Sequence, residues 1–321
     1  MNCDFCYRNC FLKEGQIGVC GVRKNIDGKI VSLNYAQVVA KAVDPIEKKP
    51  LYHFLPGSST YSFALFGCNF ACQFCQNHHI SQQDSPLYHF NYDKTEPKDL
   101  LKEIIRSKSE TVSYTYSDPV VWQDYMVDVA SLAKEERIYN CMVTNGSFTK
   151  NSLERTLKVI DVFNIDLKGS ENFYKNYCKG SVKGVLESIE TIANTPKKFL
   201  EVTTLIIEDV HSLDDIKELA TFLVKANVKV LHISRFFPSY KMRDYKQTSE
   251  SFLEDAIKVA QDIGVEFVYG GNSNNTKSQN SYCPNCKSLL IKRDYYKTKV
   301  VNMVGNRCSS CNNEIYGLFN Q

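Results

Sequence analysis

The stretch Tyr61-Ser62-Phe63-Ala64-Leu65-Phe66-Gly67-Cys68-Asn69-Phe70-Ala71-Cys72-Gln73-Phe74-Cys75-Gln76-Asn77 decides how the rest of the chain is read. An apolar run of strand length leads directly into three cysteines spaced C-x3-C-x2-C. That spacing suits three of the four irons of a [4Fe–4S] cluster. Fully thiolate-ligated clusters bring a fourth cysteine, but the next one here is Cys141. One iron is left open for a small molecule, which points to radical chemistry more than to electron storage. Zinc takes four ligands, commonly from two C-x2-C knuckles, and the trio does not offer them.

Downstream, strand-like runs alternate with helical ones. Strands are expected at Tyr61–Phe66, Thr111–Tyr114, Ile138–Val143, Val162–Ile165, Phe199–Ile207, Val228–Ser234 and Val265–Tyr269. Helical apolar spacing covers Thr95–Ser107, Val120–Glu136, Lys150–Ile160, Val182–Ala193, Ser212–Lys225 and Ser249–Ile263. Thr95 reads as an N-cap, Ser212-x-x-Asp215 as a capping box and Gly264 as a helix stop. This β/α repeat predicts an α/β fold with a parallel sheet, either doubly wound or a barrel. No G-x-G-x-x-G opens the first helix, so a dinucleotide fold is disfavoured. Polar residues recur at the carboxyl ends of the strands, as in barrels. The run from Gln76 to Lys94 exceeds an ordinary βα loop, which marks it as functional.

Thirteen cysteines fall mainly into three groups. Cys283, Cys286, Cys308 and Cys311 form paired C-x2-C knuckles twenty-one residues apart, a zinc-ribbon pattern with rubredoxin-type iron as runner-up. Short strands are expected beside them at Ile291–Arg293 and Tyr316–Leu318, after a linker at Gly270–Ser281. Cys3, Cys6, Cys10 and Cys20 supply four ligands but only one such knuckle. Zinc and a second Fe–S cluster are both open there, with zinc slightly favoured. Cys141 reads as core; Cys178 has no assigned role. Expected parts are residues 1–58 (Cys-rich lead-in), 59–272 (core) and 273–321 (ribbon).

Composition is that of an ordinary globular enzyme, with 43% hydrophobic and 23% charged residues. A net charge of +3 with interspersed signs gives no basic face for nucleic acid. The N-terminus lacks the apolar core of a signal peptide, and no run approaches a membrane span. So many cysteines without an export signal read as reduced metal ligands, and a cytoplasmic location is expected.

The cysteine loop resembles the signature of radical S-adenosylmethionine (radical SAM) enzymes, including the aromatic Phe74 before the last cysteine. The resemblance implies a partial (β/α)6 barrel with the cluster loop after its first strand. It implies that the open iron binds the amino and carboxylate groups of SAM. An electron from the cluster then yields methionine and a 5′-deoxyadenosyl radical that abstracts hydrogen from substrate, the cofactor carrying the hard chemistry. Oxygen sensitivity and a low-potential donor such as ferredoxin or flavodoxin follow. Tyr114-Thr115-Tyr116-Ser117-Asp118-Pro119 resembles the Y-T-Y-N-E-P segment of the activase-like branch, with Ser117 and Asp118 replacing Asn and Glu. Asp118 is thereby implied at SAM's amino group through a shorter carboxylate. Asp166 and Lys168 resemble the D-x-K element of glycyl-radical-enzyme activases, which meets SAM and the substrate region; a surface ion pair is the bland alternative. Asn145 either faces SAM or serves an Asn-Gly turn. His78, His79, Arg235, Tyr240 and Lys241 are weaker substrate candidates.

From end to end the chain resembles the AmmeMemoRadiSam system radical SAM enzymes, relatives of pyruvate formate-lyase activating enzyme. The matching segments are Cys3–Cys6, Glu14–Arg23, Ser32–Tyr35, Asp44–Phe54, the cysteine loop, His232–Pro238 and the ribbon. Asp44–Phe54 is distinctive and precedes the first strand, where it is placed to fold over the cluster. Gly270-Gly271-Asn272 stands where Val-Gly-Asn is expected. The family implies AmmeMemo-type protein partners without fixing the reaction. The expected function is hydrogen abstraction from a small molecule; the alternative is activation of a partner protein at a glycine. A zinc-binding adaptor that has lost catalysis would have a broken trio, and this trio is intact.

Overall fold

The computed structural model describes residues 1–85 and 92–319. Its centre is an eight-stranded sheet: β3 (Val38–Pro45), β4 (Ser59–Leu65), β5 (Thr111–Tyr114), β6 (Tyr139–Thr144), β7 (Val162–Asp166), β8 (Phe199–Ile206), β9 (Val230–Arg235) and β10 (Phe267–Gly271). Spatial order follows chain order from one edge to the other. Strands β4 to β10 are parallel, so all seven strands expected from the sequence are present. This is an open α/β sheet, with one parallel strand more than the six that the resemblance implies. The parallel strands read as nearly continuous buried runs, as strands covered on both faces do. The eighth strand, β3, pairs antiparallel with β4. Its sequence, VVAKAVDP, alternates too weakly to announce it.

Local chemistry sets the helix ends. The helices used here are α1 (His78–Ser81), α2 (Pro97–Ser107), α3 (Gln123–Glu135), α4 (Lys150–Leu157), α5 (Glu171–Phe173), α6 (Lys183–Ala193), α7 (Leu213–Lys225) and α8 (Glu250–Ile263). The capping box of Ser212 and Asp215 opens α7, and Gly264 closes α8 at φ +107°. Thr95 is not a cap. Pro97 occupies the first helical position and moves the start to Glu96, while Thr95 N–H donates to the Ala36 carbonyl at 2.8 Å. Pro119 likewise draws residues 119–122 into a 3-10 turn ahead of α3. Of the long run Gln76–Lys94, residues 76–85 hold α1 and 92–94 carry no regular secondary structure; 86–91 lie outside the described residues.

Strands β1 (Arg23–Ile26) and β2 (Lys29–Ser32) form a hairpin through Asp27-Gly28, both at positive φ. Arg23 is 1% exposed; its Nε donates to the Val121 carbonyl at 2.8 Å and its guanidinium lies over Phe5. The C-terminal module contains β11 (Ser281–Tyr282), β12 (Leu289–Asp294), β13 (Lys297–Val300) and the small pair β14 (Met303–Val304) and β15 (Arg307–Cys308). The strand expected at Tyr316–Leu318 is reduced to one parallel bridge between Leu318 and Phe54. Gly270–Ser281 is not a free linker, since Ser273 and Asn275 bond Glu250 and Glu254 of α8.

A buried polar network joins the lead-in to the sheet and ribbon. Glu201 of β8 accepts the Tyr52 and His53 N–H groups at 3.0 and 2.8 Å and contacts His232 Nε2 at 2.6 Å. His53 Nδ1 donates to the Tyr316 carbonyl, so Nε2 accepts from the Tyr269 hydroxyl at 2.6 Å. Arg293 donates to the Tyr52 carbonyl at 2.7 Å.

Candidate functional site

A cavity of about 380 Å³ opens at the carboxyl ends of the parallel strands. Every one of these strands contributes: the loop after β4 gives Cys68, Cys72, Phe74 and Cys75, and later strand ends give Asp118, Asn145, Asp166, Lys168, Thr203, Ser234 and Asn272. The sequence-predicted core residues Cys68, Cys72, Cys75, Phe74, Asp118, Asn145, Asp166 and Lys168 therefore converge on one space.

The turn into the cysteine loop needs glycine. Gly67 has φ +110°, and a Cβ there would lie 3.0 Å from a Val22 methyl. Around the thiols, Phe70 N–H donates to Cys68 Sγ at 3.4 Å and the Asn145 amide approaches it at 3.7 Å. Cys75 Sγ meets the Ser81 hydroxyl at 3.1 Å. Burial and the nearby Asp118 carboxylate push the Cys68 thiol well above its ordinary range. For Cys72 the first cause is a contact with Cys178, then burial. Cys178 lies behind the loop and does not line the cavity. Its position beside Cys72 comes from residues over 100 apart in sequence, so no local pattern reveals it.

Asp118 caps the 3-10 turn. Its Oδ1 accepts from Val120 N–H at 3.0 Å and the Thr144 hydroxyl at 3.1 Å, and Oδ2 accepts from Asn145 N–H at 2.9 Å. Burial still pushes its carboxyl up to about 6. The Asn145 side chain is engaged by the protein: Nδ2 donates to Asn69 Oδ1 at 2.8 Å, and Oδ1 accepts from Ser147. Lys168 Nζ bonds Asp166 Oδ2 at 2.8 Å with its side chain 13% exposed, so the pair is no open surface bridge. Burial alone would lower the lysine pKa, but Asp166 and Cys72 outweigh it and hold the ammonium charged.

The weaker candidates stand outside this wall. Arg235 is buried and bonds Glu250 and the Thr248 carbonyl. His78 stacks on Tyr240 at 4.6 Å, and Tyr240 and Lys241 both engage Asp84; His79 lies edge-on to His78. Sequence reasoning missed Lys48, Lys49 and Pro50 as cavity residues. Lys49, 3% exposed, bonds Asp44 at 2.8 Å and Tyr116 at 3.3 Å. The signal was present in the Asp44–Phe54 segment, which does fold over the cavity rim. Thr203, Ser234 and Asn272 were also missed, although the strand-end rule points at them.

At the C-terminus, Cys283, Cys286, Cys308 and Cys311 bring their sulfurs within 4.8 Å of one another, a set able to hold one metal ion. No helix among the described residues is long and apolar enough to cross a membrane.

Strand order, cysteine loop and cavity together define a class, and the chain belongs to the radical SAM superfamily of enzymes: the sequence profile described as "Radical SAM superfamily" matches residues 64–223. The chain is 38% identical over 320 residues to the uncharacterized protein MJ0808 of Methanocaldococcus jannaschii, covering 98% of this chain and 95% of that one. It is 27% identical over 223 residues to a putative glycyl-radical enzyme activating enzyme of the same organism, over 66% of this chain and 79% of that one. Streptococcus suis SuiB bound to its precursor peptide SuiA superposes with a TM-score of 0.54 at 14% identity, over 73% of this chain and 53% of that one, a likeness of fold. Superfamily membership implies SAM and a [4Fe–4S] cluster. The donor set fits such a cluster: three thiols and no fourth on the wall of one cavity.

Proposed function

We propose that the chain cleaves SAM reductively in this cavity and abstracts hydrogen from a small-molecule substrate. The observation that supports it is the meeting of Cys68, Cys72 and Cys75 with Asp118, Asp166 and Lys168 around one space of about 380 Å³. That size falls within the range of small-molecule sites. In this reading Cys68, Cys72 and Cys75 hold the cluster and leave its fourth iron to SAM. When bound, cluster and SAM supply a 5′-deoxyadenosyl radical. Asp118 faces the SAM ammonium, Lys168 carries positive charge toward its carboxylate, and Asp166 orients Lys168. Phe74 covers the cluster side, and Asn145 holds Asn69 and Cys68 in register. Lys48 and Lys49, sharing Asp44, leave net positive charge at the rim, which favours an anionic substrate.

We divide the chain functionally into a metal-binding lead-in (1–58), a core (59–272) and a ribbon (273–321) whose four cysteines hold zinc. A ferredoxin or flavodoxin is the natural electron source in the cytoplasm. The resemblance to AmmeMemoRadiSam system enzymes supports a protein partner of that system. A second reading, an activase that abstracts hydrogen from a partner's glycine, is supported by the relative named as a putative glycyl-radical enzyme activating enzyme.

The test is anaerobic reconstitution with iron and sulfide, followed by a dithionite-driven assay for 5′-deoxyadenosine. Wild type should form it, and Cys72→Ala should not, while keeping the ribbon metal. Product from Cys72→Ala would sink the assignment.

A further inference from the structure

We propose that Cys3, Cys6, Cys10 and Cys20 hold a second [4Fe–4S] cluster, seated against the loop of Cys68. The inference rests on the proposed function only for its role as a neighbour to the catalytic cluster.

The ribbon supplies an internal standard for zinc. Its sulfur pairs Cys283–Cys311 and Cys286–Cys308 are 3.6 and 3.7 Å apart. These are the edges of a tetrahedron about a zinc ion with bonds of about 2.3 Å. The N-terminal sulfurs do not close up this way: among the described residues the ribbon alone gives three or more ligand atoms within 4.8 Å. Yet the four lie close to one another. Cys3 N–H donates to the Cys10 carbonyl at 2.9 Å, and Cys3 and Cys6 each lie within electrostatic reach of Cys10 and Cys20. The same holds for Cys68, Cys72 and Cys75, which also miss the tight grouping. A cubane needs this wider cage, because each thiolate binds a different iron. Cys3, Cys6 and Cys20 are buried at 5–7% exposure and Cys10 is half-buried, so the site is dry enough to protect a cluster.

The set is also wired to the catalytic loop. Tyr7 N–H bonds the Ser147 carbonyl at 2.9 Å, Arg8 Nε bonds the Asn69 carbonyl at 2.7 Å, and Cys6 pairs with Phe148. The Asn69 side chain contacts Cys6, and Asn145 Nδ2 links Asn69 at 2.8 Å to Cys68 Sγ at 3.7 Å. A continuous polar path thus runs from one thiol set to the other. One electron from a low-potential donor protein reduces the outer [4Fe–4S]2+ to the 1+ state. The same electron passes on to the inner cluster, returning the outer one to 2+, with no bond or proton changed.

The full chain is reconstituted anaerobically, and iron, sulfide and zinc are counted. Wild type should carry about eight irons and one zinc, Cys3→Ala/Cys20→Ala about four irons with the zinc kept, and Cys72→Ala about four. Dithionite-reduced wild type should show an EPR spectrum broadened by interaction between two clusters, which each variant simplifies. Should Cys3→Ala/Cys20→Ala fail to fold, the wild-type counts decide. Four irons with two zincs in wild type, or no loss of iron in the double variant, overturns the proposal. Cys72→Ala retaining both the full iron count and SAM cleavage would instead defeat the proposed function and leave this site standing.

Discussion

Lys168 Nζ lies 2.8 Å from Asp166 Oδ2 on the cavity wall, two residues apart across the end of β7. Side chains two apart along an extended strand share a side, so both reach over the sheet's carboxyl edge. Lys168 also lies 5.8 Å from the Phe74 ring centroid, tying strand end to cysteine loop. Lys168→Met removes the ammonium while keeping the stem. It should lower kcat/KM for SAM cleavage by about tenfold or more, about 1.4 kcal/mol of lost stabilisation. The check is 5′-deoxyadenosine formation, with iron content and melting temperature unchanged.

Asp118 gives a pH test with a definite sign. Burial raises its carboxyl to about 6, while an ammonium needs the ionised form. SAM affinity should therefore be full well above pH 6 and fall as pH drops through it. Asp118→Asn should bind SAM about tenfold more weakly and lose this dependence. Equilibrium dialysis at pH 5.5 and 7.5 decides; a flat wild-type profile would count against the assignment.

Much of this site was legible because the chemistry sits at strand ends. Cys68–Cys75, Asp118 and Asp166–Lys168 each follow a recognisable apolar run, which places them at strand ends, while the resemblance to radical SAM enzymes singled them out among the strand-end residues. What stayed hidden depends on contacts between distant segments. Lys49 looks like one charge among several until Asp44 and Tyr116 close around it. Cys178 has no local pattern at all. Strand β3 escaped notice because an edge strand with one covered face carries a weak apolar signal, and Thr95 because Pro97 overrides a nearby cap.

The His53 network gives a test of acid stability. Burial lowers its ring to about 4 in the fold, against about 6.5 when unfolded. A depressed pKa contributes stability that is present above pH 6.5 and is lost as pH falls toward 4. The loss should reach about 3 kcal/mol, read as a falling melting temperature that His53→Gln flattens. Glu201→Ala should destabilise at neutral pH by about 2–5 kcal/mol, leaving the Tyr52 and His53 N–H groups and His232 without their acceptor.

The ribbon offers a metal-removal test. The Ser288 hydroxyl lowers the Cys286 thiol to about 6, so it is a ready ligand at neutral pH. Chelation should strip one zinc and lower the melting temperature, and Cys286→Ser should bind zinc more weakly. Zinc counts after dialysis against a chelator check both.

Residues of the ribbon hold the segment Tyr52–Leu55. Leu55 N–H bonds the Leu318 carbonyl at 2.7 Å, and Leu318 N–H bonds the His53 carbonyl at 2.8 Å. Arg293 grips Tyr52 beside them. The rim formed by Lys48–Pro50 is therefore anchored by the ribbon rather than by its own neighbours in sequence. The wall above the cysteine loop depends on a module whose described residues supply none of the cavity's lining, so loosening the ribbon would loosen that wall as well.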